Sequence, residues 1–256
     1  LIAQLLAAGI IVFYGGISLT EVTAFSLHIN FGIFSDLITI FFIVACINII
    51  NFTDGLDGLS GGVTSIFYIT TAIICFYQGR LGSLEMTLTL LMLGSTLGFL
   101  VHNFYPAKIF AGQCSMFMGF MISIICLLGF KGTALTSLFV PIAILGLPIL
   151  DTLFAIIRRM LKGQPIFSAD RCHFHHQLLG MNFSQRTTVI IIYFINILFA
   201  LTSIFYVLKD PVAAKIIYII LTVIVVWFVC YTNIITEKTP PKLKDIKKKI
   251  NNRKKK

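Results

Sequence analysis

The chain has 256 residues, of which 57 % are apolar and only 12 % carry a formal charge, and its mean hydropathy is +0.95. Soluble domains average about 25 % charged residues, so this composition excludes a soluble globule and predicts a multi-pass helical membrane protein. The net charge is +10, but ten of the Lys and Arg residues lie between Lys238 and Lys256. Because this charge is one terminal block, it does not indicate a nucleic-acid partner, and we expect the basic tail (residues 237–256) to contact anionic lipid headgroups.

Residues 1–236 are predicted to form an all-α, polytopic transmembrane helical bundle with about eight spans, most of them near the ~20 residues that cross a bilayer as a helix. The predicted spans are Leu1–Ile17, Ile33–Ile50, Gly61–Tyr77, Leu84–Val101, Met116–Phe130, Leu135–Ile157, Val189–Leu208 and Val212–Ile235. The chain opens inside an apolar run without a charged leader, so we expect that the first span is not a signal peptide and that the beginning of a longer protein is missing.

The distribution of Lys and Arg predicts the orientation of the bundle. With the basic tail in the cytoplasm, sixteen Lys or Arg fall on the cytoplasmic side and four on the other; without the tail the counts are six and four. This orientation places three polar loops on the cytoplasmic face, namely residues 51–60, 102–115 and 158–186. We therefore expect any chemistry to face the cytoplasm.

The first polar loop carries the string Asn48-Ile-Ile-Asn51-Phe-Thr-Asp54-Gly-Leu-Asp57-Gly-Leu. Asp54 and Asp57 are three residues apart, so on a helical turn their carboxylates would point the same way. Two carboxylates at a membrane interface can hold a hard divalent cation such as Mg²⁺. The alternative is a capped, glycine-rich turn between two spans, although such a turn would need only one Asp.

The second polar loop reads His102-Asn103-Phe-Tyr-Pro106-Ala-Lys108-Ile-Phe. Asn103 and Lys108 are candidate contacts for a polar ligand. Taken alone, the composition of this segment favours an ordinary loop with a proline turn.

The third polar loop gathers cations and imidazoles. Arg158, Arg159, Lys162 and Arg171 lie within 19 residues of His173, His175 and His176. Arg side chains are suited to phosphate, so the loop is a candidate anion site; the three His could instead bind zinc, although no Cys or carboxylate spacing completes a tetrahedral set. Asp151 lies just before this loop inside a predicted span, where an ionisable group is a functional candidate or the partner of a nearby cation.

Together, these three strings resemble the polyprenyl-phosphate N-acetylhexosamine-1-phosphate transferases, the family of the MraY, WecA and TagO enzymes. The most specific strings are Asn48-x-x-Asn51-x-x-Asp54-Gly-Leu-Asp57-Gly-Leu, His102-Asn103-x-x-Pro106-Ala-Lys108-Ile-Phe and Ala169-Asp170-Arg171-x-His173-x-His175-His176. The last string resembles the WecA and TagO branch, since MraY-like enzymes have three consecutive His at that point.

The resemblance implies an enzyme of the bacterial cytoplasmic membrane that transfers N-acetylglucosamine-1-phosphate from UDP-GlcNAc to undecaprenyl phosphate, releases UMP and starts a cell-envelope glycan such as teichoic acid or O-antigen. It implies Mg²⁺, with Mn²⁺ as a substitute, and a catalytic and metal-binding region at Asp54 and Asp57. It further implies that substrates contact a wider set of side chains and that the protein forms a homodimer. These substrate contacts are Asn48, Asn51, Asn103, Lys108, Arg171, His173, His175 and His176.

Two features depart from the family pattern. The family carries an earlier Asp-Asp pair, which lies ahead of the point where this chain begins. The family also shows Gly-Asp-x-Gly-Ser after Ile-Phe, with the Asp as a metal ligand, whereas this chain reads Gly112-Gln113-Cys114-Ser115.

These departures define a second hypothesis, a non-catalytic relative that binds nucleotide-sugar or lipid without turnover. A third hypothesis, a transporter that uses Asp151 and the His residues as a proton or metal path, conflicts with the one-sided distribution of polar groups.

Overall fold

The computed structural model describes residues 1–24, 27–130, 139–161, 163, 173–208 and 210–231. The described part of the chain is helical apart from one short hairpin and its connecting loops, so the predicted all-α class is confirmed. Its helices are α1 (Ile2–Gly9), α2 (Ser35–Thr53), α3 (Leu59–Tyr77), α4 (Leu84–Asn103), α5 (Cys114–Phe130), α6 (Phe139–Ile144), α7 (Gly146–Leu161), α8 (Phe174–Gly180), α9 (Gln185–Leu208) and α10 (Pro211–Tyr231).

Five of the described helices are long and apolar enough to cross a membrane. They correspond to predicted spans and are Gly32–Thr53, Leu59–Tyr77, Leu84–Asn103, Gln185–Leu208 and Pro211–Cys230. Their outward faces carry large exposed apolar side chains, as expected of helices that meet lipid rather than water. The protein is therefore a multi-pass helical membrane protein.

Three predicted spans differ from the helices observed. The segment predicted as Leu1–Ile17 is α1 continued by a π-helical turn, Ile10–Tyr14, and α5 has only 17 residues. In the described residues, the span predicted at Leu135–Ile157 is divided into two helices, α6 and α7, with Leu145 between them. Pro148 has no N–H to donate to the carbonyl four residues earlier, which accounts for the interruption at this point.

A two-stranded antiparallel hairpin precedes α2 and was not predicted. Strand β1 (Glu21–Ala24) pairs with strand β2 (Leu27–Asn30) in a register that sets Glu21 opposite Asn30. A 3₁₀ turn, Gly32–Phe34, then leads directly into α2. The strands have four residues each, too few for a period-two pattern to stand out among apolar spans.

Helices α2 and α5 pack closely against each other. A Cβ added at Gly119 of α5 would lie 2.7 Å from the carbonyl oxygen of Cys46 and 2.8 Å from the Cα of Ile47, both on α2. Only glycine allows this approach, and small residues at helix interfaces are how membrane helices gain van der Waals packing where lipid removes the hydrophobic driving force. The contact holds α2, which ends at the first polar loop, against α5, which begins at the end of the second.

A buried ion pair closes the opposite end of the bundle. Arg80, in the loop after α3, binds the Glu85 carboxylate of α4 through two guanidinium nitrogens, at 2.6 and 2.8 Å. Glu85 is only 3 % exposed. The guanidinium also donates to the Gly129 carbonyl near the end of α5, at 3.4 Å, so the pair ties three segments together.

Candidate functional site

The first polar loop is a turn rather than a helix. Helix α2 ends at Thr53, Asp54 has ψ of 53°, and Gly58 has φ of +79°, a left-handed conformation that favours glycine, just before α3 begins. The premise that Asp54 and Asp57 share a helical turn is therefore wrong. Their carboxylates contact different elements: Asp54 accepts a hydrogen bond from the Ser60 hydroxyl at 2.6 Å, and Asp57 accepts one from the Ala107 backbone N–H at 3.2 Å.

Asp54 lies where the ends of three helices meet. Ser60 comes from the first turn of α3 and Ser115 from the first turn of α5, and Ser115 also donates to the side-chain oxygen of Asn51 at 3.1 Å. Burial raises the pKa of the Asp54 carboxyl above its ordinary value, while hydrogen bonds from Ser60 and Ser115 act in the opposite direction. A partly buried carboxylate in this setting would be stabilised by a nearby cation.

The chemistry of the side chains around Asp54 fits a hard cation. The carboxylate, the Asn51 amide oxygen and the two serine hydroxyls are all oxygen donors, the type that Mg²⁺ prefers. In the part of the chain that the structure describes, no three His, Cys, Asp or Glu side chains gather as a metal-binding group. Gln113, at the position where the resemblance implies a metal-binding Asp, is exposed and lies two residues before Ser115.

Asn103 joins the first polar loop to the second. It is a buried residue at the end of α4, and its side-chain oxygen accepts the Gly58 N–H at 3.0 Å while its amide nitrogen donates to the Ile109 carbonyl at 2.8 Å. Both polar atoms of the Asn103 side chain, a predicted substrate contact, are thus hydrogen-bonded within the protein. Lys108, by contrast, is exposed, and its backbone N–H donates to the His102 carbonyl at 2.8 Å.

Asn48 points away from these loops. Its amide nitrogen donates to the Gln4 side chain of α1 at 3.1 Å and to the Val44 carbonyl at 2.7 Å. It therefore helps to hold α1 against α2, three residues before Asn51.

The histidine segment, residues 173–176, packs against the first polar loop. A Cβ added at Gly55 would lie 2.3 Å from Nε2 of His175, so the imidazole sits directly on the glycine. The rings of His173 and His175 are stacked, with centroids 5.7 Å apart and planes 1° apart, and His176 lies 4.2 Å from His175. Burial lowers the pKa of His175 to about 4, with the neighbouring His176 acting in the same direction, so His175 is neutral at pH 7.

Asp151 pairs with His173, a partner that the sequence did not indicate. One carboxylate oxygen lies 3.0 Å from Nδ1 of His173, and the other accepts the Phe174 backbone N–H at 2.8 Å. Arg159 lies about two helical turns further along α7, with its guanidinium 5.4 Å from the centroid of the Phe52 ring. Arg171 falls outside the described residues.

Sequence reasoning assigned no role to three residues that shape the first loop. Ser60 and Ser115 stood in or beside the quoted strings, whereas Tyr193 stands in an apolar stretch without a motif. The Tyr193 hydroxyl, on α9, donates to the Gly58 carbonyl. The first two predicted polar loops and the described His173–His176 part of the third therefore converge on residues 54–58, which form the candidate active site.

Comparison with known proteins shows the family of the chain. The model of glycosyl transferase family 4 matches residues 1–130, half of the chain. The chain belongs to glycosyl transferase family 4. This match and the named relatives confirm the resemblance to polyprenyl-phosphate hexosamine-1-phosphate transferases drawn from the polar strings.

Three relatives illustrate the range of similarity. A Bacillus subtilis protein named "Probable undecaprenyl-phosphate N-acetylglucosaminyl 1-phosphate transferase" is 42 % identical over 217 residues, covering 83 % of this chain and 60 % of the relative. A decaprenyl-phosphate N-acetylglucosaminephosphotransferase of Mycobacterium leprae is 38 % identical, covering 62 % of this chain and 45 % of the relative. A phospho-N-acetylmuramoyl-pentapeptide-transferase of a Geobacillus species is 33 % identical, covering 80 % of this chain and 63 % of the relative. The chain thus spans less than two thirds of each of these relatives.

Proposed function

We propose that the protein transfers N-acetylglucosamine-1-phosphate from UDP-GlcNAc to undecaprenyl phosphate at the cytoplasmic face of a bacterial membrane, releasing UMP. The observation that carries the proposal is the convergence of the first two family strings, and of the described histidines of the third, on residues 54–58. The higher identity to the N-acetylglucosaminyl relative, 42 % against 33 % for the pentapeptide transferase, favours GlcNAc as the sugar. The product would begin a cell-envelope glycan.

Asp54 is the residue best suited to hold Mg²⁺ in this reaction, with Asp57 as the second carboxylate of the predicted set. When bound, the metal supplies charge neutralisation for the diphosphate of the nucleotide sugar. Asn103 and Ser60 keep the first loop in shape through hydrogen bonds to Gly58 and Asp54. Arg171, which lies outside the described residues, is the expected contact for phosphate oxygens, since a guanidinium suits phosphate. Phosphoryl transfer depends mainly on such positioning and on charge stabilisation.

Gln113 favours a second candidate function. An amide at this position cannot give Mg²⁺ the negative charge that the family's Asp supplies. The chain would then bind UDP-GlcNAc or the lipid phosphate without transferring the sugar phosphate.

One assay separates the two functions. The chain in lipid nanodiscs, supplied with UDP-GlcNAc, undecaprenyl phosphate and Mg²⁺, is tested for UMP release and for UDP-GlcNAc binding, with Asp54→Asn as the control. UMP release that requires both the metal and the lipid supports the transferase. Binding without release supports the second candidate, and a gain of release on Gln113→Asp with one Gly inserted after Cys114 would trace the loss to this position. Absence of both binding and release contradicts both proposals.

A further inference from the structure

Both carboxylate oxygens of Asp151 contact the start of α8. Asp151 lies within α7, and its oxygens contact consecutive residues at the start of α8: Oδ2 lies 3.0 Å from Nδ1 of His173, and Oδ1 accepts the Phe174 N–H at 2.8 Å. His173 and Phe174 are both buried. A carboxylate from one helix thus fixes a side chain and the first backbone N–H of another.

The contact with Nδ1 selects one tautomer of His173. An ionised carboxylate only accepts hydrogen bonds, so the neutral imidazole must carry its proton on Nδ1. The lone pair then remains on Nε2, and that nitrogen is the one left to accept a proton or a hydrogen bond. The same carboxylate–histidine arrangement orients imidazoles in metal sites and in nucleophilic catalysis.

The consequences extend to the loop that holds Asp54. The His173 ring is stacked on His175, which sits against Gly55, and its centroid lies 6.2 Å from that of Phe52, two residues before Asp54. Any rotation of His173 or shift of the start of α8 therefore reaches both sides of Asp54. Asp151 itself acts only through these neighbours.

We propose that Asp151 is the positioning residue of the histidine segment: it holds neutral His173 with the proton on Nδ1 and the lone pair on Nε2, and it seats α8 against residues 54–58. Its role in turnover rests on the proposed transferase function, where Nε2 is the atom presented to the substrates. The tautomer and the seating of α8 are properties of the protein without substrate.

Nitrogen NMR of ¹⁵N-histidine-labelled protein in nanodiscs tests the tautomer directly. At a pH of about 8.5, where free histidine is neutral, we expect the His173 signal of a ring protonated on Nδ1, assigned by its absence in His173→Gln. In Asp151→Asn, the amide oxygen keeps the Phe174 N–H and the amide nitrogen becomes a donor, so the His173 proton should move to Nε2. Asp210→Asn is the matched control, since Asp210 is an exposed Asp that caps α10, and it should leave the His173 signal unchanged.

A wild-type His173 protonated on Nε2, or the same tautomer in wild type and Asp151→Asn, would overturn the proposal without any reference to activity. The second measurement is steady-state UMP release. We expect Asp151→Asn to lower kcat about 100-fold, the lower end of what a positioned acid or base contributes, with little change in KM. Wild-type kcat in a variant whose tautomer has moved would overturn the role in turnover. Absence of UMP release in the wild type would count against the transferase function and leave the NMR result to decide the positioning role.

Discussion

Tyr193 holds the carbonyl of Gly58 across 135 residues of sequence. The Gly58 N–H is bound to Asn103, so both polar groups of this glycine peptide are engaged by residues from other helices. The loop with Asp54 and Asp57 is therefore shaped by α4 and α9 as much as by its own sequence.

Replacing Tyr193 with Phe should destabilise the protein. The change removes one of two hydrogen bonds to the Gly58 carbonyl, which keeps the Gly62 N–H at 2.9 Å. The loss of one such bond costs about 0.5–1.5 kcal/mol. The free energy of unfolding in detergent measures the effect. Tyr14→Phe is the control, because Tyr14 is 94 % exposed, and equal stabilities of the two variants would contradict the prediction.

Adding a methyl group at Gly55 should also destabilise the protein. The new Cβ of Gly55→Ala would lie 2.3 Å from Nε2 of the buried His175, and such overpacking costs about 1–3 kcal/mol. Gly82→Ala, at a loop glycine with open space around it, should be neutral. In a double-mutant cycle, His175→Ala should remove most of the penalty of Gly55→Ala; additive penalties would show that the two residues do not meet.

The low pKa of His175 predicts a loss of stability in acid. The folded protein binds the proton with a pKa of about 4 and the unfolded chain with the ordinary value of 6.5. The unfolded state therefore takes up more protons between these values, and stability present above pH 6.5 falls as the pH drops toward 4. At pH 5 the expected loss relative to pH 7.5 is about 2 kcal/mol.

The measurement is the pH dependence of the free energy of unfolding in wild type and His175→Gln. In His175→Gln, the fall in the free energy of unfolding between pH 6.5 and 4 should be smaller, because the contribution of His175 is gone. In His102→Gln, at an exposed His, the fall should match that of the wild type. Parallel curves for wild type and His175→Gln would mean that His175 titrates normally in the folded protein.

At the other end of the bundle, removing Arg80 should cost more than removing the whole ion pair. Arg80→Met leaves the Glu85 carboxylate buried without its bidentate partner, a change that typically costs about 3–5 kcal/mol. Arg80→Met combined with Glu85→Gln should recover much of that loss, because no buried charge remains. The free energies of unfolding of the single and double variants test this order of stabilities. Lys215→Met is the control for removing a positive charge elsewhere. A double variant less stable than Arg80→Met would contradict the prediction.

Much of the candidate site could be predicted from the sequence because its polar residues interrupt long apolar segments. The strings around Asp54, Asn103 and His173 stood out for this reason, and their placement on one face of the membrane predicted that they converge. Periodicity could not show that α2 ends at Thr53, and so the geometry assigned to Asp54 and Asp57 was wrong.

Contacts made by isolated residues were beyond the sequence. Tyr193 is one aromatic residue among many in an apolar helix, and nothing in its neighbourhood marks it as the partner of Gly58. Asp151 was visible as an intramembrane carboxylate, but its partner His173 lies 22 residues away across a segment with several nearer cations. Long-range pairing of this kind is decided by how helices pack, which composition and spacing do not encode.

The long-range hydrogen bonds of residues 54–58 limit which segments of this protein can be exchanged with those of a relative. The side chains that bind Gly58 lie 45 and 135 residues downstream of it. A chimera whose junction falls between α2 and α9 would therefore take the first polar loop from one protein and some of these partners from another. Chimeras with a relative should work only when α2 through α9 are inherited as one block. The helical bundle, rather than the motif, is the smallest unit that can be transplanted.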